Sequence, residues 1–310
     1  MQFTKRLVVA GALCIVSLAA PLSARQAAPG VPTSVVITLE PRRGKTVPQI
    51  EQADITVRQD RDKRPVTGFT PLGEQAKTQF LLMIDDSARS SFDTEISTLK
   101  SFINALPASY EVGVAYMRNG MADFAQQFTT DHAAAANSIR LAMGSGGADV
   151  SPYDSLTDAA KKWPDDGAQR KEVLMISSGI EGLGGGLYPD NPYVTAGINS
   201  ALRAGILVYS IYSPSVGHLG HSYWRTTWGQ NFLSELSDQT GAESYMIGFG
   251  SPVSFQPFLD SILELQRNQF LLTFEARPEK KSGLQPVRIS IDSKDASIAA
   301  PQQVWVKASM

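Results

Sequence analysis

The sequence predicts an α/β fold with a doubly wound, mostly parallel sheet and a small flanking β-sandwich-like unit from both chain ends. Three observations support this. Strand-like and helix-like segments alternate from residue 79 to residue 268. Strand-like runs such as VLMIS and ILVYSIY are almost entirely apolar, as in parallel strands covered on both faces. Shorter β-rich pieces, separated by Pro- and Gly-containing breaks, precede and follow this region.

The alternating region is predicted to contain six strands and six helices. The strands are expected at residues 79–85, 111–117, 122–129, 171–177, 205–212 and 243–248. The helices are expected at about 92–105, 132–142, 153–163, 193–204, 230–239 and 254–268. The last helix has the clearest pattern, since its apolar residues form one stripe: Phe255, Phe258, Leu259, Ile262 and Leu265.

The chain ends define the remaining parts. Residues 25–78 are predicted to form an N-terminal β unit, and residues 269–310 form C-terminal strands. Because the two ends of an inserted α/β domain usually lie close together, we expect these strands to pair with each other. The predicted organisation is therefore a 79–268 α/β domain inserted into a smaller β unit.

Residues 1–24 have the build of a secretory signal peptide. Lys5 and Arg6 precede an apolar run over residues 7–20, and small residues follow at the exit. The run is too short to span a bilayer comfortably, so we expect an exported chain, periplasmic or secreted, with no membrane span after processing. Cys14 is the only cysteine and lies in this segment, which excludes disulfide and thiol chemistry from the mature chain.

Charge argues against one class of partner. Loss of Lys5 and Arg6 with the signal segment leaves 26 basic and 30 acidic side chains, a net charge of −4. Nucleic-acid binding requires a basic face, and these charges are spread without long blocks. The sequence therefore predicts no nucleic-acid partner.

One strand ends in polar residues that suit a binding site. Residues 80–91, FLLMIDDSARSS, are an apolar run followed at once by Asp85, Asp86 and Ser87. In open α/β sheets, ligands bind beyond the carboxyl ends of the strands. The carboxylates and hydroxyls after this strand are therefore the first candidates for function.

Three stretches together resemble the loops of a von Willebrand factor type A domain, a Rossmann-like fold. They are MIDDSAR at 83–89, GGADVSPYDSL at 146–156 and VLMISSGIEG at 173–182. KRPVTGF at 63–69 and NQFLLTF at 268–274 extend the resemblance to exported bacterial proteins related to this family, a group frequent in acidobacteria. The resemblance implies a protein-binding or adhesion module and a metal-ion-dependent adhesion site, where oxygen ligands hold Mg²⁺.

The expected metal ligands are only partly present. Asp85 and Ser87 match the family pattern, but Arg89 stands where a second serine is expected. The threonine position falls on Val150, between Asp149 and Ser151, and Ser178 stands where an aspartate is expected. A guanidinium has no acceptor atom, so Arg89 is unable to ligate a cation.

Two interpretations of this degenerate site stay open. In one, a remodelled oxygen cage holds Mg²⁺ with ligands from Asp85, Ser87, Asp149, Ser151 and Ser178. In the other, Arg89 takes the place of the metal by pairing with Asp85 or Asp86. We favour the second and expect no tightly bound cofactor.

Residues 217–230, GHLGHSYWRTTWGQ, are predicted to form a partner-binding loop at the same edge. Its candidate contact residues are His218, His221, Tyr223, Trp224, Arg225 and Trp228. Aromatic residues and arginine in a long loop suit a protein or glycan surface, while the alternative is that the tryptophans pack back on the domain.

Features expected of an enzyme are not evident. The sequence has no Gly-x-Ser-x-Gly motif, and its remaining histidine, His132, opens a predicted surface helix. We therefore predict an exported, non-enzymatic module that binds a protein or cell-surface ligand through loops 85–91, 146–153, 178–191 and 214–230. The alternatives are a Mg²⁺-dependent adhesion domain, an envelope structural component and, last, a hydrolase; the oligomeric state stays open.

Overall fold

A computed structural model describes residues 30–44, 46–88, 90–143, 151–182, 188, 190–214, 222–250 and 252–308. The predicted signal segment and the candidate site residues Arg89, Asp149, His218 and His221 lie outside the described residues. No helix within these ranges is long and apolar enough to cross a membrane.

The secondary structure of the described chain begins and ends with strands. The elements are β1 (Val31–Pro41), β2 (Ile55–Gln59), β3 (Asp62–Arg64), β4 (Val66–Pro71), β5 (Thr78–Asp85), α1 (Ile96–Ala105), β6 (Tyr110–Arg118), β7 (Met121–Thr129), α2 (His132–Asn137), α3 (Pro152–Lys161), β8 (Arg170–Ser177), α4 (Pro192–Ala204), β9 (Ile206–Tyr212), α5 (Tyr223–Thr240), β10 (Ser244–Tyr245), α6 (Gln256–Arg267), β11 (Gln269–Ala276), β12 (Gly283–Pro286), β13 (Arg288–Ile291), β14 (Ala296–Ala299) and β15 (Gln303–Val306).

The central sheet has six strands in the order β10-β9-β8-β5-β6-β7. All neighbours are parallel except β7, which runs antiparallel to β6. Numbered along the α/β region, these strands have the order 3-2-1-4-5-6 of doubly wound folds. The prediction of an α/β fold with a mostly parallel sheet is therefore confirmed.

Helices cover both faces of this sheet. In β5, Phe80, Leu82 and Ile84 pack in a core with residues of α1, α2 and α6, while Leu81 and Met83 pack in a core with residues of α3, α4 and α5. Every residue of β5 is buried. Burial on both faces explains why the strand has no polar alternation.

Most predicted elements are present, but some bounds were wrong. The helix predicted at 254–268 is α6, Gln256–Arg267, with the predicted apolar side in the core. The helix predicted at 132–142 ends at Asn137, because Tyr116 binds the backbone of Arg140 through its hydroxyl and draws the chain out of helical geometry. The strand predicted at 243–248 is only two residues long.

The two ends of the chain meet in a second sheet with the order β14-β1-β11-β4. β1 runs antiparallel to β11, with Val31 opposite Ala276 and Thr38 opposite Gln269. β13, β2 and β3 form a three-stranded sheet, and β12 pairs with β15. Apolar residues of these strands share a third core, which includes Ile37, Val57, Leu272, Phe274 and Val306. The division of the chain at residues 78 and 268 remains a prediction.

A buried arginine joins the central sheet to α6 and β11 at the amino edge. Arg170, only 1% exposed, donates from Nε to Thr78 Oγ1 at 2.9 Å and from Nη2 to the Tyr110 hydroxyl at 2.6 Å. Its Nη1 donates to the Gln266 carbonyl at 3.0 Å and to Gln269 Oε1 at 2.8 Å. These bonds satisfy a buried charge with groups from the strands, the helix end and the returning chain.

Glu172 lies on the same side of β8 as Arg170 and is fully buried. Its carboxylate accepts hydrogen bonds from the side-chain amides of Gln266 and, at 2.9 Å, Gln269. Burial raises the pKa of Glu172, although the charge of Arg170 and the two amides act in the opposite direction. The carboxyl group thus depends on Arg170 for much of its compensation.

Arg170→Met should lower the free energy of unfolding by about 3 kcal/mol at neutral pH, because it leaves Glu172 buried without a compensating charge. Since the pKa of Glu172 is raised in the folded state, stability falls as pH rises from the unfolded value of about 4.3 through the folded value. Removing Arg170 raises the folded pKa further, so the loss should be larger at neutral pH than near the unfolded pKa.

Urea denaturation at neutral pH and at a pH near the unfolded pKa of Glu172 measures how the loss of stability in Arg170→Met depends on pH. Lys161→Met, a substitution on the exposed end of α3, is the matched control and should change stability by less than about 0.5 kcal/mol. An equal loss at both pH values would contradict the role assigned to Glu172.

Candidate functional site

The candidate site lies where the strand order reverses, between β5 and β8. In doubly wound folds this switch point opens a crevice beyond the carboxyl ends of the strands. Asp85 is the last residue of β5 and Ser177 the last residue of β8. Asp85, which was predicted from sequence, and Ser177 therefore lie at the position where doubly wound folds bind ligands.

Asp85 is buried and surrounded by hydrogen-bond donors. Its Oδ1 accepts from the Ser87 amide at 2.9 Å and from the Ser87 hydroxyl at 2.6 Å. Its Oδ2 accepts from the Ser177 hydroxyl at 3.1 Å, and the backbone of Ser178 also bonds to this carboxylate. Burial raises the pKa of Asp85, and these hydrogen bonds partly oppose that effect.

Asp86 has a different environment. Its carboxylate forms an ion pair with Arg140, with Nη1–Oδ1 at 2.8 Å and Nη2–Oδ2 at 3.3 Å, and Oδ1 also accepts from the Met143 amide at 2.9 Å. The guanidinium lies 3.7 Å from the centre of the Tyr116 ring. Burial alone raises the pKa of Asp86, but Arg140, the Met143 amide and the more distant charge of Arg118 outweigh it and lower the pKa.

The stretches at 146–156 and 173–182, which resemble the second and third loops of the family, are here called the middle loop and the third loop. Their described residues meet through a second buried carboxylate. The Ser151 hydroxyl donates to Glu181 Oε2 at 2.8 Å, and both residues are buried. The Tyr153 hydroxyl donates to the Gly179 carbonyl at 3.0 Å. The start of α3 is therefore held against the loop that follows β8.

The predicted ligand residues that the structure describes take part in two sets of contacts. Asp85 contacts Ser87 and the backbone of Ser178, whereas Ser151 bonds to Glu181. Among the described residues, Arg140 is the arginine that pairs with Asp86; Arg89, predicted to take the place of the metal, lies outside them. Sequence reasoning missed Ser177, Glu181 and Arg140; Ser177 and Glu181 stand in the quoted third loop and could have been considered as oxygen donors.

The oxygen atoms of this edge are the groups that could contact a divalent cation. Carboxylates and hydroxyls suit Mg²⁺, and the described residues supply them from Asp85, Ser87, Ser151, Ser178 and Glu181. Within the described ranges, no group of three or more His, Cys, Asp or Glu side chains is arranged to hold a metal.

The interpretation of residues 222–230 as a loop was wrong, because α5 begins at Tyr223. Ser222 is the N-cap residue, and its hydroxyl accepts from the Arg225 amide at 3.5 Å. The four described candidates, Tyr223, Trp224, Arg225 and Trp228, therefore lie on the first turns of a helix.

These helical aromatic residues divide between the core and the surface. Trp228 is half-buried and packs on Phe232, with ring centres 5.6 Å apart. Trp224 and Tyr223 are 71% and 61% exposed, and Tyr223 packs on Phe249, itself 52% exposed, at 4.9 Å. We call Tyr223, Trp224 and Phe249 the aromatic patch; it lies at the carboxyl edge, since α5 follows β9 and Phe249 follows β10.

A close crossing of two glycines joins α5 to the third loop. A Cβ on Gly229 would lie 2.1 Å from the Ser178 carbonyl oxygen, and a Cβ on Gly179 would lie 2.2 Å from the Gly229 carbonyl oxygen. Gly179 also has a φ of +68°, which favours glycine. The helix that bears Tyr223 and Trp224 is thus fixed directly against the loop that bears Ser178.

Comparison with known proteins gives matches among solved structures only. No protein-family profile and no curated protein sequence matches the chain. An aerotolerance-related membrane protein from Bacteroides fragilis with multiple mutations to serines is 14% identical, with 62% of this chain and 98% of that chain covered and a TM-score of 0.40.

Two further structures show a similar level of likeness. The SpRpn10 VWA domain is 10% identical, with 62% of this chain and 97% of that chain covered and a TM-score of 0.43. Three N-terminal domains of the type V pili tip protein Mfa5 from Porphyromonas gingivalis are 11% identical, with 91% and 68% covered and a TM-score of 0.43.

Gly229→Ala should lower the free energy of unfolding by about 2 kcal/mol or more, because the new Cβ overlaps the Ser178 carbonyl. Helix propensity alone predicts the opposite sign, a gain of about 1 kcal/mol. Gly73→Ala, where a Cβ meets open space, is the control and should stay within about 0.5 kcal/mol. Chemical denaturation decides between the steric loss and the propensity gain. A Gly229→Ala protein that is more stable than the unsubstituted one would show that the crossing is not tight.

Proposed function

We propose that this chain is an exported, non-enzymatic protein-binding or adhesion module that uses the carboxyl edge of its sheet without a tightly bound metal. The observation that carries the proposal is the aromatic patch of Tyr223, Trp224 and Phe249. Large apolar side chains grouped on a surface are typical of interaction sites. Export rests on the N-terminal segment predicted from sequence.

The aromatic patch has the properties of a binding hot spot. Tyrosine and tryptophan offer large contact areas and lose little conformational entropy when they become ordered. The rings support one another, since Tyr223 lies against both Trp224 and Phe249. The Gln230 side-chain amide donates to the Gly248 carbonyl at 2.6 Å and ties the two segments together. The patch is therefore preorganised, which favours binding.

The carboxylates of Asp85 and Asp86, at the same edge of the sheet as the patch, support binding without a metal. An ionised carboxylate has about four lone-pair sites, and donors from Ser87, Ser177 and Ser178 fill a similar number on Asp85. Asp86 is neutralised by Arg140. A divalent cation would have to displace these partners before it could use either carboxylate.

A Mg²⁺-dependent adhesion domain with a remodelled site is the second candidate. The observation that favours it is Glu181, a buried carboxylate that bonds to Ser151 and adds an oxygen ligand to those predicted from sequence. The two candidates share the binding edge and differ in whether a cation bridges module and partner.

Titration calorimetry of the chain from residue 25 onward separates these candidates. We expect no binding of Mg²⁺ or Mn²⁺ at micromolar concentration, because the carboxylate of Asp85 is already saturated with hydrogen bonds. Micromolar affinity in the unsubstituted protein, abolished in Asp85→Ala and again in Glu181→Gln, would overturn the metal-free mode and favour the remodelled site.

Capture from envelope extracts of the source organism tests the binding surface. The triple variant Tyr223→Ser/Trp224→Ala/Phe249→Ser should lose a specific partner, with a fall in affinity of at least about 30-fold, since one hot-spot residue commonly contributes about 2 kcal/mol. The unsubstituted protein should still capture the partner when a chelator is present, because the proposed binding needs no metal.

Met121→Ser is the matched control for capture. Met121 is 55% exposed and also lies at the carboxyl edge, at the opposite end of the sheet. It should capture the same partner as the unsubstituted protein. Equal capture by the triple variant would contradict a binding role for the patch and favour an envelope structural component.

A further inference from the structure

A cleft of about 400 Å³ lies at the amino edge of the central sheet, far from the carboxyl-edge loops. One side is formed by the starts of β8 and β9 and the ends of α4 and α5. The other side is formed by β1, β11 and β15. Small-molecule sites commonly have volumes of about 300–1,000 Å³ and lie between structural units, so the size and position suit a small ligand.

The walls of this cleft combine apolar surface with neutral polar groups, and two cations line it. Apolar contact surface comes from Val36, Leu207, Leu271, Pro301 and Trp305. The charged residues are Lys171, at the start of β8, and Arg203, in the last turn of α4; no acidic side chain lies among the described lining residues. A cleft with two cations, no acid and substantial apolar wall favours an anion that carries an apolar body.

Neither cation is neutralised within the part of the chain that the structure describes. The six ion pairs formed there involve other lysines and arginines. The Arg203 guanidinium instead lies 5.5 Å from the centre of the Trp305 ring. A cation held over an aromatic face is positioned while its hydrogen-bond donors stay available for a ligand.

The backbone dipoles oppose an anion here but are weaker than the side-chain charges. The carboxyl-terminal ends of α4 and α5 lie at the cleft, and each carries about half a negative elementary charge. Lys171 and Arg203 contribute two full positive charges. The local balance is about one positive charge, which suits a single carboxylate.

We infer that this cleft binds a small organic carboxylate, whose acid group pairs with Lys171 and Arg203 and whose apolar body packs on Trp305 and the adjoining aliphatic wall. A neutral ligand of the same shape would leave both cations unpaired. A cationic ligand would be repelled. The cleft is separate from the carboxyl edge, so the test of this inference is independent of the test of the proposed binding function.

The NMR signals of the tryptophan indole N–H groups show where on the protein a ligand binds. The chain has four tryptophans, and single Trp→Phe substitutions assign their signals in ¹H–¹⁵N spectra. Titration with 4-phenylbutyrate, the probe carboxylate, should shift the Trp305 indole signal. The signals of Trp224 and Trp228, which lie at the opposite edge, should stay in place.

Two comparisons test the chemistry. The neutral amide, 4-phenylbutyramide, should bind at least about tenfold more weakly than the acid, because it lacks the charge-assisted bonds. Lys171→Gln/Arg203→Gln should lower the affinity for the acid by a similar factor. Lys161→Gln/Arg288→Gln removes the same charge from exposed positions elsewhere and should bind as the unsubstituted protein does.

Three results would each overturn the inference. The first is no shift of the Trp305 signal at millimolar 4-phenylbutyrate in the unsubstituted protein. The second is equal affinity for acid and amide, which would show that charge plays no part. The third is unchanged affinity in Lys171→Gln/Arg203→Gln, provided that its spectrum shows a folded protein.

Discussion

The structure depends most on how it accommodates the buried guanidinium of Arg170. A charge removed from water must be surrounded by hydrogen-bond acceptors, and here these come from β5, β6, the end of α6 and the start of β11. The same glutamines bond to Glu172. Because the partners belong to separate segments, the network fixes where α6 ends and where the chain enters the strands that pair with β1.

This arrangement makes the two edges of the central sheet different. At the amino edge, the polar groups are buried and bridge distant parts of the sequence. At the carboxyl edge, Asp85 is satisfied mainly by residues of its own loop and of the adjacent strand. The Asp85 carboxylate thus joins the ends of two neighbouring strands, whereas the Arg170 network joins the sheet to a helix and to the returning chain.

The sequence predicted the alternating α/β region, but it did not reveal the contacts at the candidate site, and both outcomes have physical reasons. Continuous apolar strands and the stripe of α6 follow from local periodicity, so their positions could be read directly. The pairing of Asp86 with Arg140, 54 residues away, has no local signal. The sequence analysis began this helix at residue 230, whereas α5 begins at Tyr223 and includes Gly229, whose lack of a Cβ serves the crossing with Ser178. Turn-like residues that serve packing are indistinguishable from turns in a single sequence.

The division of aromatic residues along α5 argues for a surface that is covered in the functional state. One face of the helix, with Trp228 and Phe232, already anchors it to the core, and the glycine crossing fixes its approach. Trp224 adds nothing to that anchoring, since it is 71% exposed. An exposed indole leaves apolar area in water at a cost of about 25 cal/mol per Å² relative to burial. Retaining it next to Tyr223 and Phe249 is understandable if a partner removes that area from water.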